Sequence, residues 1–134
     1  MMEIREYTEY NAEEILSLYA SVGWTAYTDQ PDTLKKGFEN SLLVLAAYEG
    51  DTFQGFIRVV GDGYTIVFIQ DILVYPKYHR QGIGSRLLQA VLERYRDVRQ
   101  IHLATDNTAK NAAFYKSQGF HEMSEIGCRV FTRV

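Results

Sequence analysis

The first part of the chain shows one strand-like pattern followed by two helix-like patterns. Residues 3–7 alternate in the manner of a short strand. Asn11 followed by Glu14 is typical of a helix start, and apolar residues then recur at helical spacing up to Gly23, a residue type that often ends helices. Residues 31–41 predict a second, weaker helix that begins at a proline. We therefore expect one strand and two helices before residue 42.

Three strand-like runs come next. Residues 42–48, 53–60 and 64–75 are rich in apolar, β-branched and aromatic residues, and short turns containing glycine and aspartate separate them. Runs joined by such tight turns predict an antiparallel meander. Gln70 and Asp71 place two polar residues in the middle of the longest run, and we expect a β-bulge there.

Helical and strand-like patterns alternate in the second half. A strong helix is predicted from Gly82, and its apolar stripe consists of Ile83, Leu87, Leu88, Val91, Leu92 and Tyr95. Residues 101–105 follow as a strand, so strand, helix and strand predict a parallel pair within a mostly antiparallel sheet. Asp106, Asn107 and Thr108 offer caps for a last helix over residues 109–118.

The end of the chain completes the expected architecture. Residues 120–126 and 128–134 predict a closing hairpin about Gly127. Together the elements predict an α+β fold in α/β/α layers, with a mixed, mostly antiparallel central sheet of about six to seven strands and about four helices. No internal repeat, low-complexity tract or shift in composition divides the sequence, so we expect a single domain over residues 1–134.

Composition restricts the class of protein. Hydrophobic residues make up 46% of the chain and charged residues 23%, as in ordinary globular proteins and unlike disordered ones. The single cysteine, Cys128, excludes an internal disulfide, and no stretch approaches the ~20 apolar residues of a membrane span. We expect a cytoplasmic protein without membrane contacts. Its three histidines lack the spacing of metal ligands, so no metal is expected.

Charge is distributed unevenly along the chain. Residues 1–74 contain twelve acidic and four basic residues, a balance of −8, whereas residues 75–134 contain five acidic and ten basic residues, a balance of +5. A negative half attracts cations and a positive half attracts anions, unless the asymmetry is only a solvated surface. The basic residues are dispersed and the total charge is −3, so nucleic-acid binding is not expected.

The most informative segment is the basic loop at residues 77–85. Gly82 and Gly84 lie where a helix begins after a strand, and the first turn of a helix offers unpaired N–H groups and a positive dipole end to a phosphate. A P-loop would need a lysine after Gly84, and the chain has none there. A dinucleotide fingerprint would need a third glycine where Leu87 stands. Both of these phosphate-binding motifs are excluded.

A third phosphate-binding motif fits. The loop resembles the acyl-CoA-binding motif of the GNAT N-acetyltransferase superfamily, Gln/Arg-x-x-Gly-x-Gly/Ala at the start of a helix. Residues 111–120 are similar to the Phe-Tyr-x-x-x-Gly-Phe element of the same superfamily, and the order of predicted elements agrees over essentially the whole chain. The resemblance implies an acyl-CoA N-acyltransferase fold and acetyl transfer from acetyl-CoA to a primary amine in a ternary complex. A catalytically silent acyl-CoA-binding or interaction module on the same fold is the alternative.

The resemblance also implies a set of cofactor-binding residues. They are Leu73, Val74, His79, Arg80, Gln81, Gly82, Ile83, Gly84, Ser85, Asn107, Asn111, Phe114 and Tyr115. His79 stands where the superfamily usually has Gln or Arg, and Thr108 stands where it often has Asn. The Val74 N–H is expected to polarise the thioester carbonyl, and Tyr115 to assist departure of the CoA thiolate. A core aromatic beside Phe114 is the structural alternative for Tyr115.

The general base and the acceptor site are less defined by the sequence. Asp71 is the first candidate base, although a bulge residue that satisfies local N–H groups would look the same; His102, Glu39 and a water relay are alternatives. Trp24 and Tyr27, expected in the loop between the first two helices, either line the acceptor pocket or pack over the core. The charge asymmetry favours a small cationic amine or a basic peptide group as acceptor. A homodimer is one option for the oligomeric state.

Overall fold

The computed structural model describes residues Met1–Val134, which group into two units, Met1–Ala104 and Thr105–Val134. The first unit contains five strands and four helices: β1 (Met2–Glu6), α1 (Ala12–Ser21), α2 (Thr25–Thr28), α3 (Pro31–Glu39), β2 (Leu43–Glu49), β3 (Thr52–Gly61), β4 (Ile66–Val74), α4 (Ile83–Arg94) and β5 (Gln100–Leu103). A 3-10 turn at Pro76–Tyr78 lies in the connection between β4 and α4. The second unit contains α5 (Ala109–Ser117) and a 3-10 turn at Met123–Ile126.

The predicted mixed sheet is confirmed. Its strands are ordered β1-β2-β3-β4-β5, and the first four pair antiparallel. β5 pairs parallel to β4, from Ile66 opposite Gln100 to Ile69 opposite Leu103. The strand count is five, slightly lower than the expected six to seven. Beyond Ile69, β4 has β3 on one side and no strand of this unit on the other.

The predicted bulge is also confirmed. Arg58 of β3 lies opposite Asp71, and its neighbour Val59 lies opposite Ile69, so Gln70 is the extra residue of β4. A bulge of this kind breaks the alternation of side chains and re-aims the residues beside it. Pairing with β5 ends at the same level, because β5 reaches only to Leu103.

Helices cover both faces of the sheet. α1 and α3 bury an apolar cluster against one face, formed by Ile15, Leu18, Tyr19, Leu34, Phe38, Val44, Ala46, Phe53, Phe56 and Leu73. Strand alternation directs Ile57 and Val59, which are fully buried, to the opposite face. α4 packs on β2, β3 and β4 through a separate stripe of buried residues, Ile83, Leu87, Leu88 and Val91. This is the layered α/β/α arrangement expected from the sequence.

Two helix starts have the predicted caps, and one predicted loop is helical. The Asn11 side chain accepts a hydrogen bond from the Glu14 N–H at 3.2 Å, and Thr108 accepts one from the Asn111 N–H at 3.1 Å. The segment after α1 was expected to be a loop, but Thr25–Thr28 forms one helical turn closed by the Asp29 N–H on the Thr25 carbonyl at 3.0 Å.

The predicted closing hairpin is wrong. Residues 120–134 form no strand, and the Cys128 N–H instead bonds back to the Met123 carbonyl at 2.9 Å. Gly127 has φ +82°, a left-handed conformation that ends the 3-10 turn rather than reversing a pair of strands. Local backbone bonding therefore replaces the strand pairing that the alternating sequence suggests. The two missing hairpin strands account for the lower strand count.

Candidate active site

The glycine loop begins where β4 ends. After the Pro76–Tyr78 turn, Arg80 has φ +66° and Gly82 has φ +77°. Arg80 is the one residue other than glycine with a positive φ, a conformation that costs free energy in an L-residue. Such strain is common where a loop serves a ligand, and it occurs here in the segment that the sequence singles out.

The start of α4 has the properties of an anion site. Gly82 caps the helix without a side-chain hydrogen bond, and the first ladder bond joins the Arg86 N–H to the Gly82 carbonyl at 3.1 Å. The N–H groups of Ile83 and Gly84 therefore precede the ladder. A Cβ placed on Gly82 or Gly84 would meet no heavy atom within 4 Å, and the first turn has no acidic residue. These residues fit a pyrophosphate group.

The end of β4 is paired with a strand on one side only. Leu73 is buried in the core, as its apolar side chain predicts. A Cβ on Gly55 of β3 would lie 2.4 Å from the Leu73 carbonyl oxygen and 2.9 Å from the Val74 Cα. Gly55 thus permits β3 to approach this part of β4 closely. Residues 71–74 pair with β3 but lie past the last residue that pairs with β5, so their main chain has no strand partner on that side. The resemblance places the pantetheine arm along this stretch.

Asp71 lies in a buried polar cluster beside the bulge. Its Oδ2 accepts hydrogen bonds from Arg58 Nε at 2.8 Å and from the Tyr19 hydroxyl at 2.6 Å. The side chains of Arg58 and Asp71 are only 8% and 1% exposed. Burial, together with the neighbouring Asp71 charge, raises the pKa of Tyr19 well above its usual value. Oδ2 thus has partners from both α1 and β3, whereas Oδ1 is buried without a hydrogen-bond partner.

Trp24 and Tyr27 form an aromatic cluster with Tyr19. Ring centroids are 5.0 Å apart for Tyr19 and Tyr27, 6.2 Å for Tyr19 and Trp24, and 6.4 Å for Trp24 and Tyr27. Gln70, the bulge residue, donates from Nε2 to the Tyr27 hydroxyl at 3.3 Å. Both rings are half-buried against the α1–α3 cluster, so they pack on the core and also retain accessible surface. The bulge residue Gln70 thus contacts Tyr27, and the next residue, Asp71, contacts Tyr19.

In the second unit, Tyr115 packs within its own sequence motif. Its ring centroid lies 5.0 Å from that of Phe114 and 6.0 Å from that of Phe120. Burial raises the pKa of Tyr115, and an interaction with the Thr105 hydroxyl partly opposes that rise. Asn111 Nδ2 donates to Thr105 Oγ1 at 3.0 Å. Because its pKa is raised, the Tyr115 hydroxyl stays protonated near neutral pH and is available as a donor.

Comparison with known proteins decides the family. A sequence model described as an acetyltransferase (GNAT) domain matches residues 39–122, well over half of the chain. The chain belongs to the GNAT acetyltransferase family. An uncharacterized N-acetyltransferase ycf52-like from Prochlorococcus marinus is 31% identical over 113 residues, which cover 80% of this chain and 61% of that relative. The chain thus spans about three fifths of the length of the curated relatives it matches.

Solved structures of GNAT proteins share the fold. A GNAT-family acetyltransferase from Streptococcus pneumoniae TIGR4 is 39% identical with a TM-score of 0.90, and the match covers 100% of this chain and 98% of that one. AAC(6')-Iy, solved in complex with the bisubstrate analog CoA-S-monomethyl-acetylneamine, is 18% identical with a TM-score of 0.76, over 100% and 98% of the two chains. At that identity the second likeness shows the fold alone.

Several features of this GNAT chain were not predicted from its sequence. Arg58 and Tyr19 are the partners of Asp71, and they lie 13 and 52 residues away from it along the chain. Gly55 belongs to no sequence motif. Its role in allowing β4 to pass close to β3 is visible only in the structure. A cavity of about 450 Å³ is lined by acidic and tyrosine side chains between β1 and α1, among them Glu6, Glu9, Glu14, Tyr7, Tyr10 and Tyr48. None of these forms a sequence motif.

Two further candidate bases lie elsewhere, and neither has an activating partner. His102 Nε2 is 2.9 Å from Gln100 Oε1, within the short strand β5, and Glu39 is exposed at the end of α3. No group of three or more His, Cys, Asp and Glu residues is arranged to hold a metal ion. None of the helices combines the length and the apolar character that crossing a bilayer requires.

Proposed function

We propose that this GNAT protein moves an acetyl group from acetyl-CoA to a primary amine by direct attack in a ternary complex. Family membership supports acetyl transfer as the general activity. The observation that carries the cofactor assignment is the start of α4, where N–H groups precede the helix ladder beside two glycines with open space in front of them. A helix start of this kind favours phosphate binding.

In this proposal, cofactor binding falls mainly to the backbone. The N–H groups of residues 82–85 hold the pyrophosphate, with Arg80 as a cationic neighbour, and the main chain of Leu73 and Val74 holds the pantetheine arm. The Val74 N–H donates to the thioester carbonyl oxygen and stabilises the charge that develops there. When bound, acetyl-CoA supplies the acetyl group as a thioester. The resemblance assigns Asn107, Asn111 and Phe114 to the same cofactor.

Tyr115 is proposed to stabilise the departing thiolate. Reference pKa values of about 10 for tyrosine and about 8.5 for a thiol make complete proton transfer unfavourable by roughly 2 kcal/mol. Burial raises the pKa of Tyr115 and makes that transfer harder still. A hydrogen bond from the hydroxyl to the sulfur is therefore the role that fits its protonation state.

Trp24, Tyr27 and Gln70 are proposed to line the acceptor site. The half-buried aromatic faces suit the stem of an amine, and aromatic faces also attract cations. The acceptor is expected to be a small cationic amine or a basic peptide group, because residues 1–74 carry a balance of −8. The enclosure of Asp71 by Arg58 and Tyr19 favours a positioning role for this residue. Proton removal then falls to water or to uptake of the neutral amine.

Release of free CoA thiol tests the proposed activity. We would measure kcat/KM with acetyl-CoA and polyamine, lysine-like and glutamate-like acceptors at two ionic strengths. The expected result is a preference for cationic acceptors that weakens as salt screens the field. Thiol release with none of the amines, in a protein that still binds CoA, would support the silent acyl-CoA-binding module instead. A preference for glutamate-like acceptors would contradict the cationic assignment.

The role of Tyr115 is tested by Tyr115→Phe, which keeps the ring and removes only the hydroxyl. We expect kcat to fall about 10–100-fold with little change in CoA affinity, because the group acts chiefly in the transition state. Tyr64→Phe is the matched control, since Tyr64 is 84% exposed in the turn between β3 and β4. Equal turnover by Tyr115→Phe and the wild type would reduce Tyr115 to a packing residue.

A further inference from the structure

The His79 side chain is bonded to the end of β4. Its Nε2 lies 2.8 Å from the carbonyl oxygen of Val74, five residues earlier in the chain. A carbonyl oxygen can only accept a hydrogen bond, so the bonded Nε2 carries the proton. In the neutral ring this leaves Nδ1 without a proton. The contact therefore fixes both the orientation and the tautomer of the imidazole.

This bond closes the turn that separates the strand from the glycine loop. Within the turn, the Tyr78 N–H bonds the Tyr75 carbonyl at 2.9 Å and the His79 N–H bonds the Pro76 carbonyl at 3.1 Å. These two bonds are local, whereas the imidazole reaches back to the last residue of β4. Arg80 follows directly with φ +66° and redirects the chain towards Gly82. His79 thus lies at the point where the direction of the loop is set.

We propose that His79 is a positioning residue that holds the glycine loop at a fixed spacing from the end of β4. The inference rests on the proposed function, in which residues 82–85 hold the pyrophosphate and Leu73 and Val74 hold the pantetheine arm of one cofactor molecule. A ligand that binds both places gains affinity when their spacing is set before it arrives, because less conformational freedom is lost on binding. A ligand that binds the loop alone gains nothing from that spacing.

This difference between ligands gives the test. His79→Ala is compared with the wild type by calorimetry, using CoA and, as the loop-only probe, 3′-phosphoadenosine 5′-diphosphate, which carries the pyrophosphate without the pantetheine arm. We expect CoA affinity to fall three- to tenfold and affinity for the short probe to change less than twofold. His79→Gln, whose amide N–H can replace the imidazole donor, should restore most of the CoA affinity. His121→Ala, an exposed histidine in the second unit, is the control and should change neither.

Three outcomes would overturn the proposal. Equal losses for CoA and the short probe would mean that His79 contacts the phosphates directly. Tighter CoA binding by His79→Ala would mean that the imidazole competes with the cofactor for the Val74 carbonyl. Unchanged affinity for both ligands would mean that the bond does not set the spacing.

Failure of the proposed function is recognised separately. In that case the wild type itself would bind neither CoA nor the short probe. The bond is then still measurable in the free protein, because nitrogen NMR of His79 should show the Nε2–H tautomer. His79→Ala should also speed amide hydrogen exchange at Tyr78 and His79, and unchanged exchange would contradict the bond's role in holding the turn.

Discussion

The middle and the end of strand β4 both carry polar groups, and the two regions differ in how those groups are hydrogen-bonded. In its middle, the bulge brings Asp71 to Arg58 and Tyr19, which both donate to its Oδ2, whereas its Oδ1 is buried without a hydrogen-bond partner. At its end, the side chains contribute little. Gly82 and Gly84 at the start of α4 have open space in front of them, and a side-chain bond to the last residue of the strand comes from His79.

This difference bears on which of the two regions is structural and which binds a ligand. Buried charged groups need partners inside the protein, and Asp71 finds two of them, Arg58 and Tyr19, through its Oδ2 atom. Backbone N–H groups at an uncapped helix start have no partner in the helix and are suited to an anion. We therefore propose that Asp71, the first candidate base in the sequence, has a structural role, and that Gly82 and Gly84 belong to the binding site.

The largest expected effect comes from breaking the buried ion pair. Asp71→Ala removes the partner of Arg58 and leaves a buried charge unpaired, which typically costs about 3–5 kcal/mol of unfolding free energy. Denaturant unfolding of the variant would measure this loss. A loss below about 1 kcal/mol would contradict the structural assignment of the cluster.

A second variant keeps the test informative if Asp71→Ala fails to fold. Replacing all three members with apolar residues, as Tyr19→Phe with Arg58→Met and Asp71→Leu, removes the charges together and is expected to recover most of the stability. If Asp71 has only a positioning role, the folded triple variant should retain measurable thiol release. A folded triple variant without detectable turnover would return Asp71 to the list of candidate bases.

The same substitution should have opposite consequences at two glycines. Gly55→Ala places a Cβ 2.4 Å from the Leu73 carbonyl oxygen, and overpacking of this kind costs about 1–3 kcal/mol. Gly84→Ala meets nothing within 4 Å and lies in a helix, where alanine is favoured over glycine by up to about 1 kcal/mol. Thermal unfolding of both variants compares them directly. Equal destabilisation would mean that the start of α4 is as tightly packed as the paired strands.

A smaller effect is expected from alkaline pH. Burial raises the pKa of Tyr19 above the value of about 10 that it has in the unfolded chain. The unfolded state then loses a proton that the native state keeps, so stability is complete below pH 10 and falls as the pH rises above it. Tyr19→Phe should flatten part of this decline in urea unfolding between pH 9 and 11. Tyr64→Phe, at an exposed position, is the control. If the unfolding free energy of Tyr19→Phe declined with pH as steeply as that of the wild type, the raised pKa of Tyr19 would be contradicted.

Features set by neighbouring residues were predictable from the sequence. The caps at Asn11 and Thr108 and the bulge at Gln70 follow from short patterns, and each is confirmed. The parallel pairing of β5 follows from the order strand, helix, strand, and it is confirmed too. The glycine loop was predictable for the same reason, since a strand end, two glycines and a helix start are adjacent in the chain. Its cofactor role and the role of Tyr115 stay predictions.

Features set by distant residues were not predictable. Asp71 meets Tyr19 and Arg58 only after α1 and β3 have packed against β4, and no local pattern reports those contacts. The hairpin predicted over residues 120–134 failed for a different reason, which is local. Alternation identifies a chain that can pair as a strand, but the local bond from Cys128 to Met123 and the left-handed Gly127 give that segment a different course.

Calorimetric titration of CoA into Gly84→Val tests the central claim most directly. The glycine has open space in front of it, so the valine side chain should be accommodated in the free protein and should meet the phosphates only in the complex. We expect a folded variant, with circular dichroism like that of the wild type, whose CoA affinity is at least tenfold weaker, or about 1.4 kcal/mol. Gly84→Ala should show a smaller loss in the same direction. Wild-type affinity in a folded Gly84→Val variant would contradict the assignment of residues 82–85 as the pyrophosphate site.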